Sequence, residues 1–279
     1  MAISETKLSA GRITMAFQRD GKTTPVLNDI SLEVARGEFL CIVGPSGCGK
    51  STLLSAMAGF LSPSSGEIRI DGQTVTGPDP RRIFVFQERG VFPWLTVEGN
   101  IEFGLFALPR AERQKRISHY IKMVGLTGFE RAYPAELSGG MKQRLEVARA
   151  LAVNPDMLLL DEPFGALDSI TRLTMRKELL RIWEAEGNTV VFVTHDIDEA
   201  VQLADRVVVL SDGKGAAEAS ARDGGLALVE DAEQGDFLAR LAELQADAQR
   251  IGDLSGVDYS HGKREHVTLY RIAQMHSLN

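Results

Sequence analysis

Residues Gly44-Pro45-Ser46-Gly47-Cys48-Gly49-Lys50-Ser51-Thr52 fit the pattern G-x-x-x-x-G-K-[ST]. That pattern needs a strand to deliver the chain into the loop and a helix to carry it away. Both flanks comply. Phe39, Leu40, Cys41, Ile42 and Val43 form an apolar run of strand length, so Glu38–Val43 reads as a buried strand. Thr52–Phe60 reads as a helix with Leu53, Leu54, Met57 and Ala58 inward. The glycines let backbone N–H groups turn onto a polyphosphate, and the helix start adds partial positive charge. Lys50 supplies a cation for the outer phosphates, and the Ser51 hydroxyl can ligate Mg²⁺.

Length matters here because 279 residues allow one large domain, or one domain with a small appendage. The chain is 44% hydrophobic and 25% charged, which suits a globular protein with a real core. Its net charge of -7 argues against a broad nucleic-acid footprint. Cys41 sits in an apolar strand and Cys48 inside the loop, so neither reads as a disulfide partner and a reducing, cytosolic compartment is expected. Met1–Ala10 lacks a signal-peptide core. No apolar run approaches the roughly 20 residues of a membrane span. Any membrane connection is expected to go through a partner.

Ahead of the loop, Ile13, Met15 and Phe17 alternate, Asp20-Gly21 signals a turn, and Ile30, Leu32 and Val34 alternate again. A small antiparallel sheet is expected. Two readings of Phe17 stay open: stacking on an adenine ring, or core packing. Gly66–Ile70 is a further short strand. Ile83–Phe86 is an apolar strand that runs into Gln87, a polar residue placed to touch Mg²⁺ or the attacking water. From Val91 to Val153 the texture is helical. Ile117, Ile121 and Val124 fall at helical spacing, with Arg113, Lys115, Arg116 and Lys122 mostly on a solvated face. Leu137-Ser138-Gly139-Gly140-Met141 then opens a helix that stops near Asn154-Pro155, a second anion-binding start in one chain.

Met157–Leu160 reads as a buried strand that ends in Asp161-Glu162-Pro163. Carboxylates at the carboxyl end of a parallel strand stand where such sheets bind ligands. Asp161 is placed to hold Mg²⁺ and Glu162 to polarise a water for attack on the γ-phosphate. A loop at Gly165-Ala166-Leu167-Asp168 leads to a helix over Ser169–Glu186. Val190–Val193 is another buried strand, ending in Thr194-His195-Asp196, and Val207–Leu210 reads as the last strand of the core.

In this order the motifs closely resemble those of an ATP-binding cassette (ABC) transporter ATPase, over about Ile13 to Leu210. Gly44–Thr52 matches the phosphate loop, Gln87 the Q-loop glutamine, and Leu137-Ser138-Gly139-Gly140-Met141 the family signature. Asp161-Glu162 matches the second Walker motif with its catalytic glutamate, Ala166-Leu167-Asp168 the D-loop, and His195 the switch histidine. The resemblance implies an α/β fold: a P-loop NTPase core with a parallel sheet, an antiparallel β subdomain and an inserted helical signature subdomain at about 91–153. The cassette would span residues 1–212, with an extra C-terminal segment, 213–279, of unassigned role. It further implies two copies head to tail around two Mg-ATP. Ser138, Gly139 and Gly140 of one copy, with Asp168, would meet the nucleotide held at Lys50 of the other. Partners would be integral membrane permease subunits and a solute-binding protein. The chain would then sit peripherally on the cytoplasmic side of the inner membrane.

Gln87–Val97, with Phe92-Pro93-Trp94-Leu95 as its marker, and Asn100 are similar to the branch serving nitrate, sulfonate, taurine and bicarbonate importers. The apolar run has two open readings: a seat for a helix of the membrane subunit, or packing of Trp94 and Leu95 into the helical subdomain. Two competing functions fit less well. A mechanical clamp on nucleic acid or ribosomes usually carries tandem phosphate loops or a long heptad insertion, and this chain has neither. A scaffold without hydrolysis would not need both Glu162 and His195.

After Leu210 the pattern fades. Gly213-Lys214-Gly215 matches a family strand only loosely. Gln234–Ile251 reads as a helix with Phe237, Leu241, Leu244, Ala248 and Ile251 along one stripe. His261, His266 and His276 match no compact metal-ligand pattern.

Overall fold

Alternating apolar residues and a tight turn make a long hairpin. β1 (Thr6–Arg19) pairs antiparallel with β2 (Lys22–Ala35), from Thr6 opposite Ala35 to Arg19 opposite Lys22. This is a computed structural model, and it describes residues 5–19, 21–87, 90–210 and 268–272. It divides into two compact units, residues 1–78 with 191–279, and residues 79–190.

In the first unit, the other edge of β1 pairs with β4 (Ser65–Ile70), which pairs with β5 (Gln73–Thr74), giving the order β2-β1-β4-β5. Leu8, Ile13, Leu27, Ile30 and Val34 are fully buried, while alternate residues face solvent. The register of β1 against β2 shifts at Ala10–Ile13, Ile13–Met15 and Met15–Ala16. Such bulges break strict alternation. Ile13 and Met15 are buried, whereas Phe17 is 41% exposed. The same unit holds β3 (Phe39–Val43), buried throughout and parallel to β9 (Arg206–Leu210). β3 runs through the phosphate loop into α1 (Lys50–Ala58), which ends at Gly59 in the left-handed region. α6 (Ile197–Leu203) completes this unit's helices among the described residues.

One strand was not legible. Val207–Leu210 is not the last strand: β10 (Thr268–Ile272) pairs parallel with β9, Thr268 opposite Arg206. It comes from the C-terminal segment, where motif order gave no guidance. The expected helix at 234–251 and the three tail histidines lie outside the described residues.

In the second unit, β6 (Arg82–Val85) pairs parallel with the fully buried β7 (Met157–Asp161). Between them come α2 (Val97–Glu102), α3 (Arg110–Met123), a 3₁₀ turn at Pro134–Glu136 and α4 (Gly139–Ala152). Ile101, Ile117, Ile121, Leu126, Leu145 and Val147 make their shared core. The expected solvated face of α3 is present. Lys115 and Lys122 are exposed, Arg113 pairs with Glu102 and Arg116 with Glu112. α5 (Ser169–Glu186) starts on the Asp168 cap and stops at Gly187, φ 70°. β8 (Thr189–Val193) crosses the division between the units.

Candidate nucleotide site

The first unit carries the phosphate loop. Pro45, Ser46 and Gly47 face solvent, whereas Gly44, Cys48, Gly49 and Lys50 are buried. Gly47 has φ 85°, a left-handed conformation that costs other residues energy. Gly44, φ 156°, adds a constraint of space: a Cβ would lie 2.1 Å from the Leu210 carbonyl oxygen. Gly49 stands at the helix start without a side-chain cap, so the first turn of α1 presents its backbone N–H groups toward the loop. The Lys50 ammonium donates to the Gly44 and Pro45 carbonyls, 2.8 Å each. Ser51 is exposed and Thr52 half-buried at the same turn.

His195 follows β8 and is exposed, but its neighbours are fixed. The buried Thr194 hydroxyl donates to Glu199 Oε2 at 2.6 Å and accepts from the Asp196 N–H at 3.0 Å. Asp196 in turn caps α6, accepting from the Glu199 N–H. Both cysteines are free and buried. Burial, with help from Glu199 and Asp205, pushes the Cys41 thiol well up and keeps it unreactive.

The second unit carries the carboxylates. Asp161 is buried at the end of β7. Glu162, half-buried, has φ 46°, uncommon for a residue with a side chain. The Gln87 side-chain amide donates to Glu162 Oε2 at 3.2 Å. Two sequence-remote candidates thus meet. Ser138 caps α4, its hydroxyl accepting from the Met141 N–H at 3.3 Å. Ser138 and Gly139 are exposed and Gly140 half-buried. Asp168 caps α5, accepting from the Thr171 N–H, and those hydrogen bonds hold its carboxyl below the usual range.

Three residues of this unit have loop-holding roles that sequence reasoning did not assign. Gln143 of α4 donates to the Glu162 carbonyl at 3.3 Å and accepts from the Ala166 N–H at 3.0 Å, holding the loop that contains Glu162. Glu146 of α4 accepts from the Phe86 and Gly90 amides. Fully buried Asn100 of α2 accepts from the Phe92 N–H and donates to the Phe92, Leu95 and Thr96 carbonyls. The available signal was polarity on otherwise apolar helix faces. Asn100 also corrects the packing alternative for Trp94: the pinned loop leaves that ring 69% exposed against Phe92.

Comparison with known proteins agrees with this geometry. Residues 27–165 match the family described as ABC transporter. An uncharacterized ABC transporter ATP-binding protein of Methanocaldococcus jannaschii is 50% identical over 207 residues, 74% of this chain and 78% of that protein. An aliphatic sulfonates import ATP-binding protein of Bacillus cereus (strain ZK / E33L) is 47% identical over 204 residues, 73% of this chain and 81% of that protein. A dimeric ATP-binding cassette in a post-hydrolysis state, bound to ADP and Pi, superposes with a TM-score of 0.68 at 36% identity, covering 74% of this chain and 94% of that one. The chain belongs to the ABC transporter family, as one of its ATP-hydrolysing cassettes.

Proposed function

We propose that the chain works as a homodimer around two Mg-ATP and drives membrane permease subunits that import a small anion, with aliphatic sulfonates the best-supported cargo. The cargo rests on the likeness to the Bacillus cereus sulfonate import protein and on the Phe92-Pro93-Trp94-Leu95 run. Nitrate, taurine and bicarbonate share the anionic character and stay within the same proposal. A solute-binding protein would deliver the cargo, and the chain would sit on the cytoplasmic side of the inner membrane. No helix among the described residues is long and apolar enough to cross a membrane.

The observation that carries the dimer is the exposed start of α4. Ser138 and Gly139 face solvent at the positive end of a 14-residue helix, and a Cβ at Gly139 would meet nothing within 4 Å. Such an end is a ready anion site. It is reserved in this reading for the γ-phosphate held by the other copy, with Asp168 beside it. Likeness to a dimeric cassette bound to ADP and Pi supports pairing of two copies.

The residues fit nucleotide and metal. Gly44–Thr52 wrap the phosphates with backbone N–H groups, and Lys50 turns from its loop carbonyls to the outer phosphates. Mg²⁺ would be held by hard oxygens from the Ser51 hydroxyl, the Gln87 side-chain carbonyl and the buried Asp161 carboxylate, donor types that suit it. Bound Mg²⁺ neutralises charge on the phosphates. Glu162 takes the proton of the attacking water, Gln87 holds Glu162 in line, and His195 steadies the γ-phosphate. Phe17, exposed on β1, stacks on the adenine.

The test is Glu162→Gln with Mg-ATP. The variant should elute as a nucleotide-filled dimer while wild type cycles back to monomer. A variant that binds ATP yet stays monomeric at every concentration would overturn the dimer.

A further inference from the structure

The Glu146 carboxylate is 3% exposed and lies on α4, about two turns beyond the Ser138-Gly139-Gly140 start. Its Oε1 accepts from the Phe86 N–H at 3.1 Å and its Oε2 from the Gly90 N–H at 3.0 Å. Those two amides bracket Gln87, whose side chain reaches Glu162. Its immediate neighbours are apolar: Leu145, Val147 and Ala148 are buried with it. Packing alone does not call for a carboxylate there, because burying one is costly. Burial pushes the Glu146 carboxyl up, against the pull of the two N–H groups and of Arg149. Arg149, one turn on, lays its guanidinium 4.5 Å over the Phe92 ring. At Gly90 a Cβ would stand 1.7 Å from Glu146 Oε1 and 2.7 Å from Oε2, so that position admits no side chain while the carboxylate is in place.

The geometry points to Glu146 as a positioning residue for ATP hydrolysis: it grips the backbone on both sides of Gln87 and so fixes where that side chain meets Glu162. It acts through Gln87 and touches no reacting atom. The helix that carries the signature start also carries this grip. Gln143 of the same helix holds the Glu162 carbonyl, so one rigid element indexes both residues. The inference rests on the roles given above to Gln87 and Glu162.

The test is steady-state ATPase of the full chain carrying Glu146→Gln. Glutamine keeps the shape, but offers one acceptor and sets its NH₂ against the other backbone N–H. Turnover should fall about tenfold, the effect of losing one charge-assisted hydrogen bond, with KM for ATP changed by less than about twofold. In a Gln87→Ala background the same substitution should cost less than about twofold more, because the residue it acts through is gone. Amide exchange gives a readout independent of turnover: protection at Phe86 and Gly90 should drop about tenfold in Glu146→Gln. Gly90→Ala approaches from the other side. It should slow turnover in the wild-type chain and add nothing in Glu146→Ala. Wild-type turnover and exchange in Glu146→Gln, or an undiminished loss in the Gln87→Ala background, would overturn the grip. If Glu162→Gln turned over normally, the reading of Glu162 would fall instead. An inactive Glu162→Gln beside a wild-type-like Glu146→Gln removes the role of Glu146 alone.

Discussion

Gln87 and Glu162, 75 residues apart in sequence, join side chain to side chain across 3.2 Å. The bond holds a carboxylate whose backbone is already in an uncommon left-handed conformation. Orientation is therefore built in twice, once by φ at Glu162 and once by the Gln87 amide. If Glu162 is the general base, Glu162→Gln should lower kcat by roughly 10²–10⁴, with ATP affinity kept. Gln87→Ala should lower kcat less, by about tenfold, since it only frees the base to wander. The double variant should be no slower than Glu162→Gln alone. Phosphate release and nucleotide binding, measured on all three, check this; normal turnover in Glu162→Gln removes the assignment.

Two loop glycines at positive φ should fail to different degrees. At Gly44 an added Cβ meets the Leu210 carbonyl oxygen at 2.1 Å, and backbone cannot step aside. At Gly47 an added Cβ meets nothing within 4 Å, and only φ 85° resists. Gly47→Ala should cost about 1–2 kcal/mol, the usual left-handed penalty. That corresponds to roughly 2–8 °C in Tm at this chain length. Gly44→Ala should cost visibly more and displace β9 from the loop. Thermal unfolding of the two variants decides it; equal losses would refute the steric account.

Lys50→Ala removes the cation of the loop and the two bonds it donates to the Gly44 and Pro45 carbonyls. ATP affinity should fall by at least about tenfold, as expected for a lost charge-assisted contact to phosphate. Calorimetry with ATP measures it, and unchanged affinity would contradict the phosphate-loop assignment.

Asp71 gives a pH handle far from the chemistry. It bonds Lys7, which is 2% exposed, at 2.7 Å and Arg36 at 2.6 Å. Partial burial pushes the Asp71 carboxyl up, but the Lys7 and Arg36 hydrogen bonds outweigh it and hold it below the ordinary aspartate range. A carboxyl lowered by folding favours the folded state while ionised. Its contribution is fully present above the unfolded value and fades as pH falls through the folded one. Asp71→Asn should therefore lower Tm at pH 7, and the gap to wild type should narrow below about pH 4. Asparagine tolerates the φ 51° at this position, so backbone strain does not confuse the comparison. A gap that stayed constant with pH would refute the link.

The chemistry-bearing stretches were legible because each joins a local pattern to a demanding residue type. Gly44–Thr52, Asp161-Glu162 and Ser138-Gly139-Gly140 all stand at the strand end or helix start that their composition predicted. What stayed hidden depends on distant pairing. The irregular register of β1 exists only in its pairing with β2. β10 needs β9 to exist as its edge. Glu146 and Gln143 look like polar interruptions of a buried helix face until the backbone groups they hold arrive, at Phe86 and Gly90 and at Glu162 and Ala166.

Trp94 is the sharpest case for a partner surface. A ring of that size is normally drawn inward, yet it is 69% exposed. Asn100 keeps it there: its four hydrogen bonds to Phe92, Leu95 and Thr96 fix the loop from below. The ring's neighbour Phe92, 5.5 Å away, lies against Phe103 at 4.6 Å and under Arg149. An open aromatic on a rigid loop suits docking of an apolar helix from a permease subunit. Trp94→Ser removes little buried area, so Tm should shift by less than about 2 °C, as for other exposed positions. Copurification with the membrane subunits should drop several-fold, by analogy with aromatic hot spots worth at least about 2 kcal/mol. Asn100→Ala serves as the contrast. It strands the buried carbonyls of Phe92, Leu95 and Thr96, and should lower both Tm and copurification. Wild-type recovery of the membrane subunits with Trp94→Ser would leave the exposed ring without a role in docking.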